Sequence, residues 1–212
     1  GTAAGASDII IYYGYYPGPN PSTAQTFATT TSALSLLTTA SVTAPDFFLV
    51  LEGNSDFTND GVEDLLFMDG SNLFVRDYTS ATAYTEYAVR SIPGTWKPVF
   101  TDDFNGDNND DILVIDQTNG YMGFIGGNSG VWAGLGYTTT EAVGDGWKVY
   151  ATGDFTNDGS ADILWFNQAS NQVGFWDLEN GAWTGWVGLG AAGAGWAIVT
   201  TGDYTGDNFE DI

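Results

Sequence analysis

The chain contains no cysteine and no histidine, and only four basic residues in 212. Without cysteine there is no disulfide framework, no thiol nucleophile and no thiolate metal site. Without histidine, imidazole bases and the usual zinc and iron ligand sets are excluded. The four Lys and Arg stand against 27 Asp and Glu, a net charge of −23. Nothing would neutralise phosphates, which excludes a direct nucleic-acid binder and argues against docking on anionic membranes. No apolar run reaches the ~18 residues needed to cross a bilayer, so membrane insertion is not expected. There is no usable Asn-x-Ser/Thr sequon, because Pro21 blocks Asn20-Pro21-Ser22.

What is present is a core-forming composition, 43% hydrophobic and 15% aromatic, which sets the chain apart from acidic disordered proteins. Its length suits one sizeable domain or an array of repeats with a shared core. The chain opens Gly1-Thr2-Ala3-Ala4 and closes Asp211-Ile212, where a strand is due to start. With neither Met nor a signal-peptide apolar region at its start, it reads as a processed or excised piece of a longer protein.

A nine-residue pattern occurs four times. It starts at Asp56 (Asp-Phe-Thr-Asn-Asp-Gly-Val-Glu-Asp), Asp103 (Asp-Phe-Asn-Gly-Asp-Asn-Asn-Asp-Asp), Asp154 (Asp-Phe-Thr-Asn-Asp-Gly-Ser-Ala-Asp) and Asp203 (Asp-Tyr-Thr-Gly-Asp-Asn-Phe-Glu-Asp). The starts lie 47, 51 and 49 residues apart, so one supersecondary unit of about fifty residues repeats. A fifth, eroded copy at Gly5–Ile9 keeps only its last carboxylate, Asp8. An apolar run follows each copy: Ile9–Tyr13, Leu65–Met68, Ile112–Ile115 and Ile163–Phe166. These runs are short, β-branched and aromatic, and they read as buried strands. Trp96, Trp147 and Trp196 stand seven residues before the later copies, with Leu49 at the matching place in the first, and each begins a strand running into the loop. Each unit offers about four short strands separated by Gly, Asn and Asp turns. The best helix candidate, Thr23–Leu37, is too rich in Thr and Ser to be read as one.

The expected fold is therefore all-β: a β-propeller of four-stranded, ~50-residue blades, four in this chain. Residues 1–212 form one repeat domain, with units counted from the loop ends as 8–63, 64–110, 111–161 and 162–212. The ends are complementary. They allow a closed four-bladed ring, a part of a larger array, or self-association through the chain ends.

Sixteen of the 27 acids fall in or beside the four loops. Carboxylates this close repel one another unless something positive sits among them. Spacing 1, 3, 5 lets alternate oxygens of a tight turn converge. The small residue at position 6 (Gly61, Asn108, Gly159, Asn208) supports a left-handed backbone. Hard oxygen donors without nitrogen or sulfur suit Ca²⁺ better than Mg²⁺. An EF-hand would need Glu at position 12, where Phe67, Val114 and Trp165 stand, and a strand follows instead of a helix.

Gly153-Asp-Phe-Thr-Asn-Asp-Gly-Ser-Ala-Asp-Ile-Leu-Trp165 and its three sister copies resemble the FG-GAP/VCBS repeat family, the calcium-bearing blades also found in integrin α-subunit propellers and some fungal lectins. The resemblance covers nearly the whole chain except about Tyr15–Pro45. It implies side-chain ligands at positions 1, 3, 5 and 9 and a carbonyl at 7. The implied sites are Asp56, Thr58, Asp60, Val62 carbonyl and Asp64; Asp103, Asn105, Asp107, Asn109 carbonyl and Asp111; Asp154, Thr156, Asp158, Ser160 carbonyl and Asp162; and Asp203, Thr205, Asp207, Phe209 carbonyl and Asp211. Up to four calcium ions are implied. Three copies depart from the family by carrying Thr at position 3, which ranks the Asp103 site strongest.

The functional expectation is a non-catalytic, calcium-binding extracellular module, secreted or at a cell surface, for adhesion or recognition of a glycan or protein. The alternative is a structural subunit of a surface filament or large repetitive adhesin. A glycosidase-type enzyme is disfavoured because nearly all clustered acids have metal spacing and others outside the loops, among them Asp46, Glu52, Glu86, Glu141, Asp145, Asp177 and Glu179, show no readable pairing. Tyr12–Pro17, followed by a Thr/Ser/Ala stretch, offers either an elaborated loop or an aromatic glycan patch.

Overall fold

A computed structural model describes the strands at residues 9–11, 23–30 and 33–41, and residues 55–80, 83–129, 132–137, 146–193, 195, 198, 200–207 and 209–212. Among the described residues there is no helix. The strands are β1 (Ile9–Ile11), β2 (Thr23–Thr30), β3 (Ala33–Ser41), β4 (Leu65–Asp69), β5 (Asn72–Ser80), β6 (Ala83–Ser91), β7 (Trp96–Asp102), β8 (Asp111–Asp116), β9 (Tyr121–Gly126), β10 (Trp132–Tyr137), β11 (Trp147–Gly153), β12 (Asp162–Asn167), β13 (Gln172–Glu179) and β14 (Ala182–Ala191). The Thr/Ser-rich stretch rejected as a helix is the β2–β3 hairpin. Trp196, Leu49 and Tyr12–Pro17 lie outside the described residues.

Every sheet is an antiparallel meander: β1-β2-β3, β4-β5-β6, β7-β8-β9-β10 and β11-β12-β13-β14. The two four-stranded sheets begin at Trp96 and Trp147, with an acidic loop joining their first and second strands. Counted by sheet, the divisions at 110/111 and 161/162 therefore fall inside β7–β10 and β11–β14. The phase differs from a count taken at the loop ends because hydrogen bonding joins each loop to the strand that enters it: Asp102 pairs with Asp111, and Gly153 with Asp162.

Burial explains the composition of the strands. The second strand of each full sheet is shielded on both faces, so β12 (Asp-Ile-Leu-Trp-Phe-Asn) is buried at every position. A strand covered on both sides needs a continuous apolar run rather than an alternating one. The last strand, β14, lies at the sheet edge and is exposed along almost its whole length.

Successive sheets pack face to face. Leu66, Leu73 and Val75 of β4–β5 bury against Ile112, Val114 and Ile125 of β8–β9. The other face of that sheet, through Leu113, Met122 and Phe124, buries against Ile163, Trp165 and Leu178. Leu164 and Phe175 then face onward to Ile198. The aromatic residue at loop position 2 plugs each of these layers: Phe57 and Phe104 are fully buried and Phe155 nearly so. Burying one such ring is worth about 1.5–3 kcal/mol. The loops are thus pinned to the core by their second residue, while their polar residues stay at one end of the sheets.

Candidate metal centre

The four loops share one hydrogen-bond pattern. The carboxylate at position 1 caps the turn that follows it. Asp56 accepts N–H bonds from Asp60 and Gly61 at 3.1 and 2.8 Å. Asp103 accepts from Gly106, Asp107 and Asn108, Asp154 from Asp158 and Gly159, and Asp203 from Gly206 and Asp207. The carboxylate at position 5 accepts the N–H of position 7: Val62 to Asp60, Asn109 to Asp107, Ser160 to Asp158 and Phe209 to Asp207, at 2.8 to 3.0 Å. The carboxylate at position 9 reaches back to the N–H of position 2 in Phe57, Phe155 and Tyr204, at 2.9 to 3.0 Å. Acids at positions 1, 5 and 9 are in this way turned towards the inside of one tight turn.

That turn needs two residues in the left-handed region. Asn59 and Gly61 have φ of 54° and 82°, Asn157 and Gly159 56° and 89°, and Gly106 and Asn108 75° and 63°. Position 6 is as the sequence predicts in the first three loops, and Asn208 of the fourth lies outside the described residues. Position 4 was missed, although its signal is present: Asn and Gly exchange places between positions 4 and 6 across the copies. These residue types tolerate positive φ best.

Several oxygens inside the loops have no partner. Thr58 Oγ1 and Thr156 Oγ1, both at position 3, and Asp111 Oδ1, at position 9, are buried and unbonded. A buried polar oxygen without a partner costs on the order of 1–3 kcal/mol. In the fourth loop Asp203, Asp207 and Asp211 each bring a carboxylate oxygen within 4.8 Å of the others, the one acidic triad among the described residues drawn so close. In the second loop, ranked strongest by sequence, Asn105 instead spends its Nδ2 on Asp111 Oδ2 at 2.8 Å. Coordination there requires the amide Oδ1 to face inward. The hard-oxygen donors and the orphaned oxygens both fit a cation.

The electrostatics agree. Burial pushes the Asp111 carboxyl up to about 7, helped by the charges of Asp107 and Asp103 and opposed by its bonds from Asn105 and Phe104. Burial also pushes Asp162 up to about 7, with Asp177 and Asp158 adding to it against the N–H bonds of Leu178 and Phe155. Asp110 rises to about 7 for the same first reason. Burial likewise raises Asp102, beside the second loop, and Glu210, in the fourth. No cationic side chain appears among the causes of these shifts.

Position 8 carries a tie that the sequence reading did not find. Its N–H donates to the carbonyl of position 1 in the preceding loop: Asp110 to Asp56 at 3.1 Å, Ala161 to Asp103 at 2.7 Å and Glu210 to Asp154 at 3.1 Å. The loops of consecutive units therefore form a chain. Asp110 adds its side chain, accepting the N–H of Asp56 at 2.7 Å. A backbone bond needs no particular side chain, so Asp, Ala and Glu serve equally. Only the near-constant period hinted at it.

Residues 103–165 match the family model of the FG-GAP-like repeat. The chain carries an FG-GAP-like repeat. The matched stretch opens at position 1 of the second loop, takes in β8 to β11, and ends at Trp165, just past the third loop. It is thus framed by two of the loops resolved here. Comparison with curated proteins gives no match.

Proposed function

We propose that this chain is a calcium-pinned β-propeller-type module that works outside the cell in adhesion or recognition and carries out no chemistry. The orphaned oxygens of Thr58, Thr156 and Asp111 carry this reading. They lie at the positions where an oxygen-lined site would use them, and a cation there would repay their burial. The proposed ligands are the side chains at positions 1, 3, 5 and 9 and the carbonyl at 7, as set out above for each loop. Calcium supplies the positive charge that the loops lack; four ions would offset 8 of the 23 excess negative charges.

The residues of the chain do the rest. Phe57, Phe104 and Phe155 anchor the loops in the layers between sheets. The position-8 N–H groups tie each loop to the one before it. The face-to-face stacking of four-stranded meanders at a period of about fifty residues supports reading the sheets as propeller blades. Neutral Thr at position 3 suits weaker sites, matched to an outside medium where affinities of ~10⁻⁴–10⁻³ M suffice.

Thermal unfolding in millimolar calcium and in excess chelator tests the proposal. A ligand held only by the folded state adds stability by mass action, about 2.7 kcal/mol per site at a hundredfold excess over Kd. A large rise in Tm with calcium is expected, and an unchanged Tm would overturn the proposal.

A further inference from the structure

We infer that the outer strand β14 carries a binding shelf for a neutral carbohydrate, built from Trp183 and Trp186. The proposal rests on the reading of the chain as a recognition module and names the ligand class and the site. Trp183 and Trp186 are 52% and 44% exposed, although they lie on a sheet face that is otherwise core. Trp183 stands opposite Leu178, and Trp186 opposite Trp176. Directly opposed residues share a face. Leu178 is fully buried and Trp176 packs on the same cluster. The two indoles are three residues apart, and a register shift between Asp177 and Leu178 puts both on this face.

The rings are held in place. Trp176 meets Trp183 edge-on with centroids 6.4 Å apart, and Trp147 meets Trp186 edge-on at 5.3 Å. Trp186 lies across Gly174, where any Cβ would collide with the indole. On the same face, opposite Gly174, the indole N–H of Trp165 is buried without a partner. Gly188, opposite Gly174 on this face, adds no side chain to the shelf. Rings whose planes are already fixed lose little freedom on binding.

The arrangement recurs. Arg76 and Glu86 occupy on β5–β6 the ladder positions of Trp176 and Trp186, both sets in line with the first apolar residue after a loop, Leu65 or Ile163. Tyr84 there matches Trp183 and is 49% exposed. The Arg76 guanidinium sits 4.8 Å from the Tyr84 ring centroid and is paired with Glu86 at 2.9 Å. There the guanidinium covers one face of the tyrosine ring, whereas the exposed indoles of Trp183 and Trp186 offer aromatic surface that fits the apolar face of a sugar. The net charge of −23 disfavours an anionic ligand.

Affinity electrophoresis of the full chain in millimolar calcium tests this, with a β-glucan, a mannan, a galactan and a xylan as probes. At least one should retard the chain. Trp183→Ala should weaken that retardation about tenfold, as loss of an anchor residue does, while Trp183→Phe retains most of it. The calcium-dependent Tm of each variant checks folding. The proposal is overturned if no probe retards the chain, or if the Trp183→Ala/Trp186→Ala double variant is retarded as before. It is also overturned if these variants instead change the sedimentation coefficient of an unretarded chain, which marks the shelf as a contact between copies. A calcium-dependent Tm without retardation removes the shelf and leaves the calcium module standing. Retardation without a calcium response does the reverse.

Discussion

Thr156 Oγ1 is buried in the third loop with nothing to bond, as Thr58 Oγ1 is in the first. Valine has nearly the same shape and no hydroxyl. In chelator, Thr156→Val should therefore be neutral or stabilising by about 1 kcal/mol, because the unpaired oxygen is gone. In calcium the same change should shrink the calcium-induced rise in Tm. Paired melts of wild type and variant in the two buffers show whether the sign reverses. Gly159 gives a second test at this scale. Its φ is 89° and nothing lies within 4 Å of where a Cβ would stand, so Gly159→Ala costs only backbone strain. Urea titration should show a loss of about 1–2 kcal/mol, the left-handed penalty for a residue with a Cβ.

At the scale of the element, the loop and the sheet interface are one object. Phe104 belongs to the second loop yet is fully buried in the layer between β7–β10 and β11–β14, 5.8 Å from Phe124. Phe104→Ala should cost about 3–5 kcal/mol by urea unfolding, the range for an emptied aromatic site. It should also weaken calcium binding measured by calorimetry, because the buried ring fixes the backbone whose N–H donates to the loop's last carboxylate. A variant that lost stability but kept its calcium affinity would show that the plug and the loop act separately. The strands themselves were legible: the runs at Ile112 and Ile163 and the Trp starts at 96 and 147 form β8, β12, β7 and β11. The outer strands were less so. Nothing in the repeat singles out Trp183 and Trp186; the ladder shift at 177–178 brings both onto one face.

For the whole molecule, charge sets the response to pH. In chelated protein, burial pushes Asp110, Asp111 and Asp162 up to about 7, above the usual carboxylate value in the unfolded chain. A raised acid binds its proton more tightly in the folded state. Stability should therefore rise as pH falls through about 7, and continue to rise until the unfolded carboxylates begin to protonate near ~4. Calcium should reverse this slope above pH 6, because protons then compete with the cation. Tm measured between pH 5 and pH 8, with and without calcium, gives both slopes; two parallel curves would separate the raised carboxylates from the cation.

The sequence by itself determined the repeat, its period, the strands before and after the second and third loops, and the acidic positions 1, 5 and 9. Each of these is a local matter of residue type at fixed spacing: β-branched runs favour strands, Asn and Gly permit left-handed turns, and spaced carboxylates face one another. Only the tertiary structure decided what lies between units. The position-8 tie from Asp110 to Asp56 uses backbone atoms that every residue has, so no side chain announces it. The closeness of the Asp203, Asp207 and Asp211 oxygens, and the turn of Asn105 towards Asp111, depend on rotamers set by packing. Trp183 and Trp186 share a face because the β13–β14 ladder slips between Asp177 and Leu178, and both stay exposed on it, which the residue types alone do not announce.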